Sequence, residues 1–287
     1  MKTIFLKTIL ISLLITACSK NDDSTLSPDP NAENYRLLEA RYSNGSIDTY
    51  EYNTYGKIAK VSRNGAIAII YNYDSQNRLI EIENSNSNYQ YYFKNYTYTG
   101  NNPKPDESIT RYKVVGDPQE TKYRNTYVYN NDLLIENNNY LWDPVNSNYY
   151  PSSKFVYEYD ANNRLIKFSN NSNYTLFTND ANGNVTETKQ FELKSGSTTQ
   201  QYMWRSVTYT YDNKKDLFAN LYPVPESESN SNSNNRLDQT LKDFNESGST
   251  TNISNTSISY EYNEANYPVK ATQSGNVTLY TLEKVQY

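Results

Sequence analysis

One short pattern recurs along this chain and restricts what it can fold into. It reads Tyr-x-Tyr-Asp/Asn, a few turn-forming residues, then an apolar pair. Clear copies are Tyr50-Glu51-Tyr52-Asn53 with Gly56-Lys57-Ile58, and Tyr71-Asn72-Tyr73-Asp74 with Asn77-Arg78-Leu79-Ile80. Tyr127-Val128-Tyr129-Asn130 precedes Leu133-Leu134-Ile135, and Tyr157-Glu158-Tyr159-Asp160 precedes Asn163-Arg164-Leu165-Ile166. A degenerate copy follows at Asn179-Asp180 with Gly183-Asn184-Val185. Then come Tyr209-Thr210-Tyr211-Asp212 with Leu217-Phe218, and Tyr260-Glu261-Tyr262-Asn263 with Tyr267-Pro268-Val269. Tyr96-Thr97-Tyr98 begins another copy, but Thr99-Gly100 replaces its acidic step.

Alternating tyrosines put both rings on one face of a strand. Asp, Asn and Gly supply the turn through side-chain bonds to the backbone and tolerance of positive φ. The apolar pair starts the returning strand, so each unit reads as a β-hairpin and the series as an antiparallel meander. The expected fold is therefore all-β: Tyr-rich hairpins curled into an open barrel or strongly twisted sheet, which would help cover exposed edges. With 31 tyrosines and modest aliphatic content, the buried face is expected to be largely Tyr.

The Tyr-x-Tyr-Asp-x-x-Asn-Arg-Leu-Ile unit is similar to the YD repeat of Rhs and teneurin-type shells. More closely, the chain resembles a family of uncharacterised Bacteroidota lipoproteins, a resemblance covering roughly residues 35–287 and strongest at residues 209–269. It implies a porin-like, barrel-shaped fold without an assigned function. The chain lacks the length and the terminal toxin or protease of true Rhs shells, which argues against an enclosed passenger.

The N-terminus reads as a processing signal. Lys2 and Lys7 flank the start, and Ile9 to Ile15 is apolar but too short to span a bilayer. Ile15-Thr16-Ala17-Cys18 resembles a bacterial lipobox, which implies cleavage after residue 17 and lipidation of Cys18; acyl chains there would give stable anchoring. Residues 18–34 follow as a polar tether with Pro28 and Pro30, and residues 35–287 as the hairpin domain. Asp22-Asp23 resembles a surface-export signal and Asp23-Ser24-Thr25 an O-glycosylation acceptor of the same bacteria. The resemblance places the protein in the envelope as an outer-membrane lipoprotein, on the surface or in the periplasm.

Composition excludes several functions. No His is present, which removes Ser-His-Asp and Cys-His nucleophile systems and His-ligated zinc. The single Cys allows no intrachain disulfide. A net charge of -5 argues against a nucleic-acid partner. No cofactor motif is present. A membrane-spanning barrel needs an apolar lipid-facing band on alternate residues; here Tyr alternates with Glu, Asn and Thr, so that reading is rejected.

Residues 223–235 (PVPESESNSNSNN) break the pattern and read as a long surface loop. Arg236 to Phe244 places Leu237, Leu241 and Phe244 at helical spacing, predicting a short helical turn.

Candidate chemistry is sparse. Glu51, Glu158 and Glu261 follow the first Tyr of their repeats, and Asp74, Asp160 and Asp212 the second. A glycan hydrolase needs two such carboxylates in one cleft, but recurrence in every hairpin assigns them to Asx turns and solvated faces. Asp180-Ala181-Asn182-Gly183-Asn184 resembles half a calcium loop without its later bidentate Glu, and reads as a turn. Trp142, with Tyr140, Tyr149 and Tyr150, is a non-repeated aromatic cluster and the first candidate for ligand stacking. Two function classes stay open: a non-enzymatic binding protein for a glycan or envelope partner, and a carboxylate-dependent glycan hydrolase. A purely structural envelope role is a third.

Overall fold

The computed structural model describes residues 34–85, 88–219, 221–223 and 232–285. The signal, Cys18 and nearly all of the tether lie outside the described residues, as do residues 224–231 of the predicted loop. The strands are β1 (Asn34–Tyr42), β2 (Ile47–Tyr52), β3 (Ile58–Arg63), β4 (Ala66–Tyr73), β5 (Leu79–Asn84) and β6 (Tyr89–Thr97). Next come β7 (Glu107–Val114), β8 (Thr121–Asn130), β9 (Leu133–Asp143), β10 (Asn148–Tyr159), β11 (Leu165–Ser169) and β12 (Tyr174–Asn179). The last six are β13 (Val185–Leu193), β14 (Gln201–Lys215), β15 (Asn234–Phe244), β16 (Thr250–Tyr262), β17 (Pro268–Gln273) and β18 (Asn276–Val285).

Every strand pairs antiparallel with its sequence neighbours, and β1 pairs with β18, so the meander closes into an 18-stranded barrel. The seam runs from Asn34↔Val285 to Tyr42↔Thr278, with Arg36 bridging to Glu283 at 2.6 Å. Closure removes the edges that an open sheet would expose.

The repeat turns follow one design. Asp74 Oδ1 accepts the backbone N–H groups of Gln76 and Arg78, and its Oδ2 accepts the Arg78 Nε–H at 2.8 Å. Asp160 does the same with Asn162 and Arg164. The residue before each Arg must turn left-handed, and Asn77 and Asn163 sit at φ 59° and 60°; Asn tolerates this region better than most residues. Each Arg then reaches the neighbouring turn: Arg78 donates to the Gly100 carbonyl and Arg164 to the Asp180 carbonyl, both at 2.7 Å.

After each of these turns the returning strand carries one extra residue. Glu51 pairs with Lys60 but Tyr52 with Ile58; Asn72 pairs with Glu81 but Tyr73 with Leu79; Glu158 pairs with Lys167 but Tyr159 with Leu165. This β-bulge splits the apolar pair. Its first member is buried, at 3 % exposure for Leu79 and 6 % for Leu165, while Ile80 and Ile166 face outward at 36 % and 37 %.

The tyrosine face is the inside. Tyr50, Tyr71, Tyr96 and Tyr127 are buried. In five copies the second tyrosine sends its hydroxyl to the carbonyl of a buried aliphatic residue of the preceding strand, whereas Tyr129 donates to the Pro105 carbonyl and Tyr262 to Asp212. Tyr52 donates to the Leu37 carbonyl, Tyr73 to Ile58, Tyr98 to Leu79, Tyr159 to Leu134 and Tyr211 to Val185, at 2.6 to 2.9 Å. In the degenerate copy Asn179 Nδ2 takes the same role toward Leu165. Tyr96-Thr97-Tyr98 is thus a full member of the series.

The outer face is charged. Cross-strand pairs Lys60–Glu51, Lys154–Glu136, Lys167–Glu158 and Lys270–Glu261 lie at 2.6 to 2.7 Å around the wall. This inverts the apolar-out, polar-in pattern of a membrane-spanning barrel.

Three local expectations are corrected. Residues 236–244 form strand, not a helical turn: β15 pairs with β14 and β16 along its length, so Leu237, Leu241 and Phe244 owe their order to the ladder. Leu217-Phe218 does not start a return strand, because that role belongs to β15. Instead the β14–β15 connection turns inward, and Leu217, Phe218, Leu221 and Tyr222 pack on the inner residues of β1 to β6 and β18. The apolar surface of these side chains is buried there instead of at the periphery. The loop predicted for residues 223–235 also ends earlier, since Asn234 and Asn235 already belong to β15.

Candidate functional site

Trp142 and Tyr149 are directly paired across β9 and β10, with ring centroids 5.0 Å apart at 67°. Tyr140 lies two residues before Trp142 and so shares its face. That face is the outer one, since Asn138 and Glu136 continue it and Glu136 pairs with Lys154. β8 adds two cations: the Lys122 ammonium sits 5.3 Å over the Trp142 ring, and the Arg124 guanidinium 4.6 Å over Tyr140 and 5.4 Å over Tyr149. Cations over ring faces are held by the ring quadrupole.

Of the four aromatic residues singled out from sequence, the fold brings together Trp142, Tyr140 and Tyr149. Tyr150 adjoins Tyr149 in β10, so alternation turns it to the inner face, where it is 46 % exposed near the barrel mouth. The cation partners Lys122 and Arg124 carried no signal in sequence, because they meet the rings only through the β8–β9 register, which pairs Arg124 with Tyr140. Each has an acidic neighbour: Glu120 is 2.8 Å from Lys122, and Glu107 is 3.7 Å from Arg124.

The repeat carboxylates occupy turns and outer pairs. Glu51, Glu158 and Glu261 are partnered by lysines, and Asp74 and Asp160 close turns. Partial burial works against their charge, but the Arg78 and Arg164 amides and guanidinium groups hold both Asp carboxyls below the usual range. Asp180 accepts the N–H groups of Asn182 and Asn184, so the half calcium loop is an Asx turn. Among the described residues no cluster of three or more His, Cys, Asp or Glu could hold a metal.

Asp212 accepts the Lys214 N–H as the other turn carboxylates accept theirs, but the inward connection brings a second carboxyl, Asp216, near it. Asp212 accepts bonds from the Tyr262 hydroxyl and the Asn235 amide. Asp216, four residues on, accepts the Phe218 N–H at 2.9 Å. Burial, reinforced by the Asp212 charge, pushes its carboxyl up to about 6. Nearby, Lys215 stands 4.7 Å over the Tyr267 ring. Sequence gave no notice of Asp216; the apolar residues right after it, Leu217, Phe218, Leu221 and Tyr222, were the available signal for an inward segment.

No family model and no curated protein matches the chain. Among solved structures, it is similar to a porin-like protein from Bacteroides vulgatus ATCC 8482, at 13 % identity and TM-score 0.47, covering 86 % of this chain and 98 % of that one. A porin-like protein from Bacteroides uniformis ATCC 8492 matches at 11 % identity and TM-score 0.41, again over 86 % and 98 %. A TcdB2-TccC3-TEV structure matches at 12 % identity and TM-score 0.39, over 83 % of this chain and 13 % of that one.

Proposed function

We propose that this chain is an envelope-anchored, non-enzymatic glycan-binding barrel, lipidated at Cys18, with Trp142, Tyr140 and Tyr149 as its stacking platform. The observation that carries the reading is the outward placement of these three rings beside Lys122 and Arg124, on a wall that also carries the Glu136–Lys154 and Glu158–Lys167 pairs. Rings on a strand face offer flat apolar area with little side-chain entropy to lose, and flanking cations supply hydrogen-bond donors to hydroxyl or carboxylate groups. The charged outer wall fits a barrel bathed in water and held at the membrane by its lipid, since charges facing hydrocarbon are costly.

A glycan-array screen of the full chain carrying Cys18→Ser tests this. Binding to at least one glycan class is expected, weakened about tenfold or more by Trp142→Ala, as the loss of a central aromatic anchor predicts, and unchanged by Tyr55→Ala, a 68 % exposed aromatic elsewhere. No binding to any glycan, or binding indifferent to Trp142, would remove the reading.

One observation favours a second reading, carboxylate-dependent glycan hydrolysis. Burial raises the Asp216 carboxyl to about 6, near the hydrogen-bonded Asp212, and a carboxyl raised by burial is suited to act as a general acid toward a glycosidic oxygen. Release of reducing ends from a bound glycan, abolished by Asp216→Asn, would support it; unchanged glycan after prolonged incubation would remove it.

A further inference from the structure

The barrel has a second concave surface that the platform does not use. At the mouth opposite Asn34 and Val285, the inner residues of β1, β16, β17 and β18 surround a cavity of about 520 Å³. That volume falls within the roughly 300–1,000 Å³ of small-molecule sites. Three tyrosines, Tyr42, Tyr260 and Tyr280, form its aromatic walls, and Gln273, Asn276 and Thr278 bring amides and a hydroxyl to its rim.

The tyrosines are held from behind. Tyr42 donates to Asp48 Oδ2 at 3.1 Å, and Tyr260 donates to the Arg236 carbonyl at 3.2 Å. The Tyr280 ring meets Phe218 of the inward segment edge-on, with centroids 5.7 Å apart. Their hydroxyls and edges are thereby engaged in the wall, which fixes the rings as rigid surfaces. Asp48 itself is neutralised by Arg63, with bonds of 2.7 and 2.8 Å, and does not line the cavity.

This lining selects a class of guest. Among the described residues it contains no Lys, Arg, Asp or Glu, so an ionic guest would lose hydration without gaining a counter-charge. A wholly apolar guest would leave the rim amides and hydroxyl unpaired, which also costs free energy. A molecule with flat C–H faces and an uncharged hydroxyl edge satisfies both halves of the wall. We propose that this mouth is a second binding site, for a neutral mono- or disaccharide, independent of the outer platform around Trp142.

Calorimetric titration of the full chain carrying Cys18→Ser tests it, with maltose, cellobiose and lactose as neutral probes and digalacturonate as the charged one. Saturable binding of at least one neutral disaccharide is expected, with none of digalacturonate. Gln273→Ala should weaken that binding about tenfold, in line with one lost polar contact; Asn276→Ala, at an exposed strand start, provides a second rim variant. Trp142→Ala should leave it unchanged. Failure of all three neutral disaccharides, preference for digalacturonate, or indifference to both rim variants would overturn the proposal. Loss of binding in Trp142→Ala would assign the sugar to the platform and overturn it equally, whereas silence on the glycan array with retained disaccharide binding would sink the platform alone.

Discussion

The Tyr73 hydroxyl donates to the Ile58 carbonyl at 2.7 Å, across 15 residues and one complete hairpin. The same bond links Tyr52 to Leu37 and Tyr98 to Leu79. Each tyrosine therefore ties its own repeat to the one before it and sets their stagger. Removing only the oxygen leaves a partly buried carbonyl without its partner. Tyr73→Phe is expected to lower stability by about 1–3 kcal/mol, read from the denaturant midpoint, while Tyr55→Phe on an exposed turn should change it by less than about 0.5 kcal/mol. Equal midpoints for the two variants would refute the role of the hydroxyl ladder.

The repeat turn makes a conformational demand at Asn163, whose φ is 60°. A β-branched residue is strained there, so Asn163→Val should cost about 1–3 kcal/mol. Asn163→Gly removes the strain at some entropic cost and should stay within about 1 kcal/mol of the parent. Thermal unfolding of the two variants gives the order directly; a Val variant as stable as the Gly variant would contradict it.

Asp216 predicts a pH dependence with a defined sign. Its folded-state carboxyl titrates near 6, above its ordinary value of 3.8, chiefly through burial. The folded barrel therefore holds this proton more tightly than the unfolded chain does. Its contribution is fully present below pH about 4 and is lost as pH rises through 6. Asp216→Asn abolishes the titration, so the stability gap between variant and parent should widen in the variant's favour from pH 4 to pH 7. A shift of about two units sets a ceiling of roughly 3 kcal/mol. A gap that is flat over this range would show that Asp216 does not stay buried.

The inward segment rests on Leu221, which is 8 % exposed within the lumen cluster. Leu221→Ala should cost about 2–5 kcal/mol if the segment is integral to the core. Proteolysis in the native state should then cut the β14–β15 connection faster than any other turn. If Leu221→Ala leaves both stability and cleavage unchanged, the segment is a passive lodger.

Anchoring at Cys18 is testable without reference to the barrel. Cells grown with an alkyne-bearing palmitate should label the parent chain and not Cys18→Ser, and the variant should leave the membrane fraction. Equal labelling would remove lipidation from the account.

Much of the wall was legible in the sequence. Alternating tyrosines, the Asp or Asn turn and the apolar return are local features, and period-two alternation fixes which side chains share a face whatever the strand pairs with. The side to which Glu51, Glu158 and Glu261 point followed from the same rule. Tertiary structure decided the rest. Closure depends on β1 meeting β18, with Arg36 and Glu283 separated by 247 positions, and no local pattern encodes a pairing at that range. The bulge that turns Ile80 out while keeping Leu79 in exists only once two strands are in register. Residues 236–244 show helical spacing yet form strand, because pairing with β14 and β16 supplies their backbone with ladder partners. The lumen also claimed Leu217, Leu221 and Tyr222 from a stretch where the repeat pattern predicts a return strand, since only a closed wall creates an interior for them to fill.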